Sequence, residues 1–405
     1  MESTRFFKML RISLHFTNYF GSSPYITKPW DAKYPGTFLV KTSPFLVRKC
    51  YAGWTMVLCH TIFFAARGVT SILRKDFGSF CFSMLFCSIC CNLLSTMLIF
   101  LVTPKHFSQM MNAQYVYFME YHRRWMPSYN PETSSVNKIL DLMAFTTVFS
   151  VVLTHILCFL HFLALPKTSI YISSLNILQF RHCFMQKLAY MGFAVFYFHF
   201  FGTVYSLILF HCLVAKTYIW FIFHKIVRDF RCILGDGRKH GTITELRHPD
   251  NLPIAFRSLQ VIHRVTISIY GPILLPTETF CGGIVILGVY MLVRHSQDLN
   301  TTTFSIVTTW SISMFLMYTI ILRVAGIMFL KSKKTIDSWK HWGESDELRR
   351  FWRSEWARKH IGKFRKSCRP LAIEFPGYYR FNNLSMLKFI QGIVRGSLRV
   401  LLALK

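Results

Sequence analysis

Long apolar runs recur along this chain at lengths that match the thickness of a lipid bilayer. A membrane-spanning helix needs about 20 mostly apolar residues to cross roughly 30 Å of hydrocarbon. Six runs meet this requirement, at about 51–70, 79–103, 140–165, 188–223, 265–293 and 304–330, and a weaker seventh run occupies 384–404. The sequence therefore predicts an all-α, polytopic membrane protein with seven transmembrane helices.

The charge composition agrees with a membrane protein. Only 16% of the 405 residues are charged, whereas soluble globular proteins carry about a quarter. The net charge of +29 could indicate a nucleic-acid partner, but the basic residues alternate with apolar runs instead of forming one polar surface. This pattern is typical of the cytoplasmic loops of a multi-pass protein. We therefore expect the lipid bilayer, and not nucleic acid, to be the partner.

The distribution of Lys and Arg between alternate connections predicts the orientation in the membrane. Residues 1–50, 104–139, 221–264 and 331–383 together carry 34 of these residues, and the complementary loops carry 7. Because cytoplasmic loops retain positive charge, the N-terminus is expected inside and the C-terminus outside. The resulting layout has a cytoplasmic segment (1–50), six helices with their loops (51–330), a cytoplasmic amphipathic segment (331–383) and a seventh helix (384–405).

The segment before the last apolar run carries its own helical pattern. From Ser345 to Lys366, the apolar side chains Leu348, Phe351, Trp352 and Trp356 recur at spacings of three and four. This spacing predicts an amphipathic helix. Such a helix could lie on the anionic inner leaflet or pack against other parts of the protein, and we favour packing against protein.

The C-terminal sequence resembles a known family. Trp342-Gly343-Glu344 leads into the predicted inner helix, and SCRPLAIEFPGYYRFNNLSMLKF then precedes the last helix. With seven spans and a cytoplasmic N-terminus, this pattern resembles the insect-type gustatory and odorant receptor superfamily. The topology covers the whole chain, and the local motif covers about the last 65 residues. Between the gustatory and odorant branches the sequence leaves the choice open.

The resemblance implies a function and a quaternary structure. Members of this superfamily are chemosensory receptors of the plasma membrane that act as tetrameric, ligand-gated, non-selective cation channels. Their last helices line a central pore, and a small organic tastant or odorant binds in the outer halves of the second to sixth helices. Carried over to this chain, Val400 corresponds to the hydrophobic constriction of the pore and Ala403 to a polar ring, with Gly396 on the same face.

A helical wheel separates that face from a cationic one. At 100° per residue, Gln391, Arg395 and Arg399 form a polar stripe about 100° away from the face that holds Val400. A ring of arginines around the axis would repel cations. If the stripe faced the axis instead, anion conduction or no conduction would be expected.

Candidate ligand-binding residues are aromatic or polar side chains in the predicted outer halves of the helices. An aromatic lining with a few polar groups suits a small organic ligand, although aromatics at helical spacing are more often packing residues. The candidates are His155, His161, Tyr190, Phe196, His199, Glu278, Tyr290, Thr308 and Trp310. Since His155 and His161 lie about 120° apart on a helix, as do His199 and His211, we expect no metal site and no cofactor.

Glu278 raises an alternative function. Ionisable groups within the membrane are expensive and usually functional. Glu278 could pair with Arg323 if Pro272 and Pro276 kinked their helix, or it could face a cavity. As a proton-coupled group it would favour a transporter or a non-conducting multi-pass receptor. The chain has no paired carboxylates, nucleophile elbow or Gly-rich phosphate loop, so we do not expect an enzyme.

Overall fold

The computed structural model describes residues 4–29, 38–127, 135–168, 170–175, 183–216, 218, 226–232, 240–297, 299–341, 352–375 and 379–403. These residues are mostly helical. The helices, in chain order, are α1 (Thr4–Phe20), α2 (Pro44–Leu73), α3 (Phe77–Val102), α4 (Pro104–Trp125), α5 (Ser135–Ala164), α6 (Cys183–Lys216), α7 (Ile226–Asp229), α8 (Asn251–Arg294), α9 (Thr301–Ser338), α10 (Glu355–Ser367) and α11 (Ser385–Ala403). Two short antiparallel hairpins complete the fold: β1 (Tyr25–Pro29) pairs with β2 (Phe38–Thr42), and β3 (Glu374–Phe375) pairs with β4 (Tyr379–Arg380).

Within the described residues, six helices are long and apolar enough to cross a membrane: α2, α3, α5, α6, α8 and α9. Each overlaps one of the first six apolar runs, so the prediction of a polytopic helical protein is confirmed. α11 coincides with the seventh run, but Lys388, Arg395 and Arg399 set it apart from those six helices. The number of spans and their orientation stay predictions.

The helices α1 and α4 occur where the sequence predicts only polar connections. α4 begins directly after α3, with Pro104 in its first turn, where a missing amide hydrogen costs nothing. The Asn112 side chain of α4 accepts a hydrogen bond from the Val40 amide at 2.8 Å and donates one to the Val40 carbonyl at 2.9 Å. This pair of bonds fixes the first hairpin against α4.

The N-terminal helix α1 packs against the membrane-spanning helix α6. The Phe20 ring lies so close to Gly202 of α6 that a Cβ atom at Gly202 would overlap it. The Thr203 hydroxyl donates a hydrogen bond to the Phe20 carbonyl at 2.8 Å. Glycine at 202 therefore provides the notch in which the end of α1 sits.

One part of the hydrophobic core forms around Trp339, and we call it the Trp339 layer: Phe230, Phe256, Trp339, Trp352 and Phe364. The Phe256 and Phe364 rings lie 5.0 and 5.4 Å from Trp339. The Trp339 indole donates to the Phe230 carbonyl at 2.9 Å, and the Trp352 indole donates to the Arg247 carbonyl at 3.0 Å. The ring contacts and the buried indole hydrogen bonds together hold the ends of α7, α8, α9 and α10 against one another.

Part of the predicted amphipathic helix lies within the described residues, as α10. Residues 345–351 lie outside the described residues, and α10 starts at Glu355 because the Ser354 side chain accepts from the Ala357 amide at 3.1 Å. Trp352 is buried but precedes the helix, and Trp356 is 59% exposed. The buried side of α10 carries Ala357, Ile361 and Phe364, so it packs against protein, as we favoured, through a different set of side chains.

Candidate functional site

Four of the predicted ligand-binding residues belong to one continuous group of rings, which we call the aromatic cluster. The cluster joins α2, α3, α5, α6 and α9, and its neighbouring ring centroids are 4.3 to 6.5 Å apart. Its members are His60, Phe64, Phe82, Phe86, His161, Phe162, Tyr171, Tyr190, Phe196, Tyr197, Phe200 and Trp310. Aromatic side chains from five helices thus meet in one place, and the predicted residues His161, Tyr190, Phe196 and Trp310 are among them.

His60 of α2 lies at the centre of the cluster, although the sequence analysis missed it. Its ring stacks on Phe200 at 4.3 Å and on Phe196 at 5.1 Å, and only 1% of the side chain is exposed. Its Nε2 atom is buried without a hydrogen-bond partner among the described residues. A buried polar atom without a partner is unfavourable in an apolar environment. The signal that could have found it is a lone histidine inside an apolar run.

His161 of α5 is buried as well, but its two nitrogens are satisfied. Nδ1 lies 2.6 Å from the Tyr171 hydroxyl, and Nε2 lies 3.2 Å from the Thr303 hydroxyl in the first turn of α9. The Ile172 amide donates to the Tyr197 hydroxyl at 2.6 Å. These bonds connect one end of the aromatic cluster to the short 3-10 segment Ile172–Leu175. His161 thereby links α5 to α9.

His155 and His199 lie together outside the aromatic cluster, where α1 contacts α5 and α6. Their rings are 5.8 and 5.6 Å from Phe20. His155 also approaches Tyr205 at 6.1 Å, and the Tyr205 hydroxyl is 3.1 Å from the Cys158 sulfur.

Glu278, Tyr290 and Thr308 are not part of the aromatic cluster. Tyr290 approaches His295 at 5.5 Å near the end of α8, and the buried Thr308 hydroxyl has no hydrogen-bond partner among the described residues. The Glu278 carboxylate accepts a hydrogen bond from Tyr318 at 3.4 Å. The described residues place Arg323 on an exposed side of α9 without an ion pair to Glu278.

Tyr318 connects Glu278 to the last helix. The Tyr318 ring lies 4.8 Å from Phe389 of α11, and Phe389 also approaches Gly282 of α8. At the other end of α11, the Arg294 guanidinium donates to the Leu401 carbonyl at 3.1 Å. α11 therefore lies along the seam between α8 and α9, with Glu278 near its beginning.

The two sides of α11 differ in what they contact. Phe389, Ile393 and Ser397 are buried against the seam. Of the predicted pore residues, Gly396 sits against Ile286 of α8, Val400 is half-buried in the same core, and Ala403 is exposed. The opposite side, which we call the free face, is exposed and holds Lys388, Gln391, Arg395, Leu398, Arg399 and Leu402.

A groove of about 740 Å³ lies between α3, α4 and α8, away from the aromatic cluster and from His155 and His199. Its lining is mostly apolar and includes Leu98, Val102, Met110, Val265 and Pro272. None of the predicted ligand-binding residues lines this groove.

Solved structures with this architecture exist. The insect olfactory receptor OR5 from Machilis hrabei in complex with eugenol superposes with a TM-score of 0.62 and 13% sequence identity, over 98% of this chain and 98% of that chain. The structure of the same receptor described without a ligand superposes with a TM-score of 0.58 and 13% identity, over 99% and 96%. The chain has the insect olfactory receptor fold. Together with its six membrane-capable helices, this fold makes it a multi-pass membrane protein.

No protein-family model and no curated protein sequence matches the chain. The likeness is therefore one of architecture, and it agrees with the resemblance seen in the C-terminal sequence.

Proposed function

We propose that this protein is a chemosensory receptor subunit of the plasma membrane that acts as a ligand-gated ion channel. The observation that carries the proposal is the match of architecture to an insect olfactory receptor over 98% of both chains, which includes the last helix. In this scheme four subunits, identical or related, assemble around an axis, and α11 of each subunit lines the ion path.

We place the ligand site at the aromatic cluster. The Machilis hrabei receptor of similar architecture was solved with eugenol, a small aromatic molecule. Stacked rings from five helices offer apolar contact to a ligand of this class, and the unpartnered Nε2 of His60 offers one directional hydrogen bond. Phe196 and Trp310 would supply contact area, while His161 would hold α5 and α9 in position.

Currents in cells that express the full chain test this proposal. Eugenol and a panel of small volatile aromatics and tastants are applied, and whole-cell current is recorded. We expect at least one compound to evoke current, and Phe196→Ala to shift its dose dependence to higher concentration. Phe145→Ala is the matched control because Phe145 lies exposed on α5, and its response should equal that of the wild type.

Two results would contradict the proposal. Uptake of a compound without current would favour a transporter, and the proton-coupled position of Glu278 would then be the first to test by Glu278→Gln. Equal losses of response in Phe196→Ala and Phe145→Ala would remove the aromatic cluster as the ligand site.

The pore assignment of Gly396, Val400 and Ala403 is a separate part of the proposal. Val400→Ala tests it, because a smaller side chain at a constriction should increase leak current in the absence of ligand. An unchanged leak would show that the narrowest point lies on another side of α11.

A further inference from the structure

The groove between α3, α4 and α8 lies where the predicted membrane meets the cytoplasm. α3 ends at Val102, and α4 occupies the following connection, whose basic residues predict a cytoplasmic position. In α8, Val265 lines the groove at the point where the apolar run of that helix begins. The groove therefore borders the inner leaflet of the bilayer, and its volume of about 740 Å³ is typical of a ligand site.

The lining of the groove changes from apolar to polar along its length. Leu98 and Val102 of α3 line the end toward the membrane interior, and they are 47% and 68% exposed. His106 and Gln109 of α4 line the wall one and two turns after Val102, in the direction of the cytoplasm. Such a gradient matches a molecule that has an apolar chain and a polar head.

Two exposed cations flank the polar part of the groove. Arg264 lies one turn before Ser268 on the same face of α8, and Ser268 lines the groove. Lys105 lies one turn before Gln109 in the same way on α4. Among the described residues that line the groove there is no Asp or Glu. The charge at this end is thus complementary to an anion, and the inner leaflet is the side of the membrane that carries anionic lipids.

The two walls of the groove are held together at its floor. The Gln114 side chain of α4 donates a hydrogen bond to the Thr266 hydroxyl of α8 at 2.7 Å, and both side chains are buried. Met110 and Ile269, which line the groove, are buried as well. The groove is therefore a surface formed by packed helices.

We propose that this groove binds an anionic phospholipid of the inner leaflet, with phosphatidylserine as the reference ligand. One acyl chain lies along Leu98, Val102 and Pro272, and the head group meets Lys105 and Arg264 at the cytoplasmic end. Any lipid can cover the apolar part, and the two cations select the anionic one. The inference concerns a site apart from the aromatic cluster and from α11, and it does not depend on the proposed channel function.

Photochemical cross-linking of the full-length protein in vesicles tests the site. Phosphatidylcholine vesicles carry a trace of either phosphatidylserine or phosphatidylcholine with a diazirine in the acyl chain, and adducts are mapped by peptide mass spectrometry. We expect the phosphatidylserine probe to label residues 98–113 and 265–272 several-fold more than the phosphatidylcholine probe does. Lys105→Gln with Arg264→Gln should reduce the phosphatidylserine adducts to the phosphatidylcholine level.

Two further variants separate the groove from general surface charge. Arg358→Gln with Lys363→Gln is the matched control, because both residues are exposed cations of α10, and it should leave the labelling of the groove unchanged. Ala113→Trp places a large ring in the groove without changing charge, because Ala113 is an exposed lining residue. It should reduce the groove adducts of both probes.

Equal labelling of the groove by the two probes in the wild type would overturn the inference, because it would show lipid contact without selection. Absence of adducts at residues 98–113 and 265–272 would also overturn it, and would favour a second protein chain as the cover of this groove. Equal loss in the α10 control and in Lys105→Gln with Arg264→Gln would show that overall charge, and not this site, attracts the lipid.

Discussion

His60 and His161 are two buried histidines that differ in the hydrogen bonding of their Nε2 atoms. Nε2 of His60 has no partner among the described residues, whereas His161 contacts two hydroxyl groups. A buried polar atom without a partner costs about 1–3 kcal/mol. His60→Phe should therefore keep or raise the melting temperature in detergent, while His161→Phe should lower it. The same His60→Phe variant should need more of any ligand that uses the hydrogen bond.

A fall in melting temperature for His60→Phe as large as that for His161→Phe would show that Nε2 already has a strong interaction in the unliganded protein. In that case the aromatic cluster would be part of the packed core and not a preformed ligand site.

Gly202 is the residue on which the position of α1 depends. Since a Cβ atom there overlaps the Phe20 ring, Gly202→Ala should destabilise the protein by about 1–3 kcal/mol through overpacking. Gly192→Ala in the same helix meets no atom within 4 Å and should keep or raise the melting temperature, because alanine favours a helix over glycine. Partial rescue of Gly202→Ala by Phe20→Leu would assign the loss to this contact, and failure of the rescue would assign it elsewhere in α6.

At the scale of elements, the Trp339 layer rests on buried indole hydrogen bonds. Trp352→Phe retains much of the ring but leaves the Arg247 carbonyl without its donor, which should cost about 1–3 kcal/mol. Trp356→Phe is the matched control, because Trp356 is exposed and stacks only on the neighbouring His360. Limited proteolysis of residues 331–383 in the full chain measures the difference, and equal protection in the two variants would contradict the role of Trp352.

The same layer should lose stability in acid through His240. Burial, with the nearby Arg247 and Arg228, lowers the pKa of His240 from 6.5 to about 4. The unfolded state therefore binds a proton at a higher pH than the folded state does. As a result, the free energy of unfolding falls as the pH drops from about 6.5 toward 4. The melting temperature of the wild type should decrease more over this window than that of His240→Gln. Parallel pH profiles would show that the acid sensitivity arises from other groups.

At the scale of the whole molecule, orientation and symmetry are the two properties to measure. The excess of basic residues in alternate connections predicts that a tag at Met1 stays protected on intact cells and that a tag at Lys405 is labelled. The reverse result would place the beginning of α11, and not its end, on the outside of the cell. Particle images with fourfold symmetry would support the channel, and monomers would not.

Much of the architecture could be predicted from the sequence because bilayer thickness dictates the length of an apolar run. That rule finds the six helices from α2 to α9 that are apolar over a membrane length. It misses α1 and α4, which are amphipathic and bury only one side. Their mixed composition is typical of many polar connections, so hydropathy alone does not separate the two cases.

The candidate site was predicted only in part, for a related reason. Aromatic content points to Phe196 and Trp310, and both lie in the aromatic cluster. His60 was missed because the pocket was sought in the second to sixth helices, and α2 is the first of the spans. The contact of Phe20 with Gly202 joins segments far apart in the chain, and no local pattern reveals such a pairing.

The length of α8 has a mechanical consequence. Its 44 residues extend about 66 Å. Phe256 near its beginning belongs to the Trp339 layer, and Arg294 at its last residue holds the end of α11. Pro272 and Pro276 remove two amide donors near the middle of this rod and make that point its weakest in bending. A small tilt of the Trp339 layer would thus move the part of α8 after the prolines, with Gly282 and Ile286, against α11, which carries the arginines.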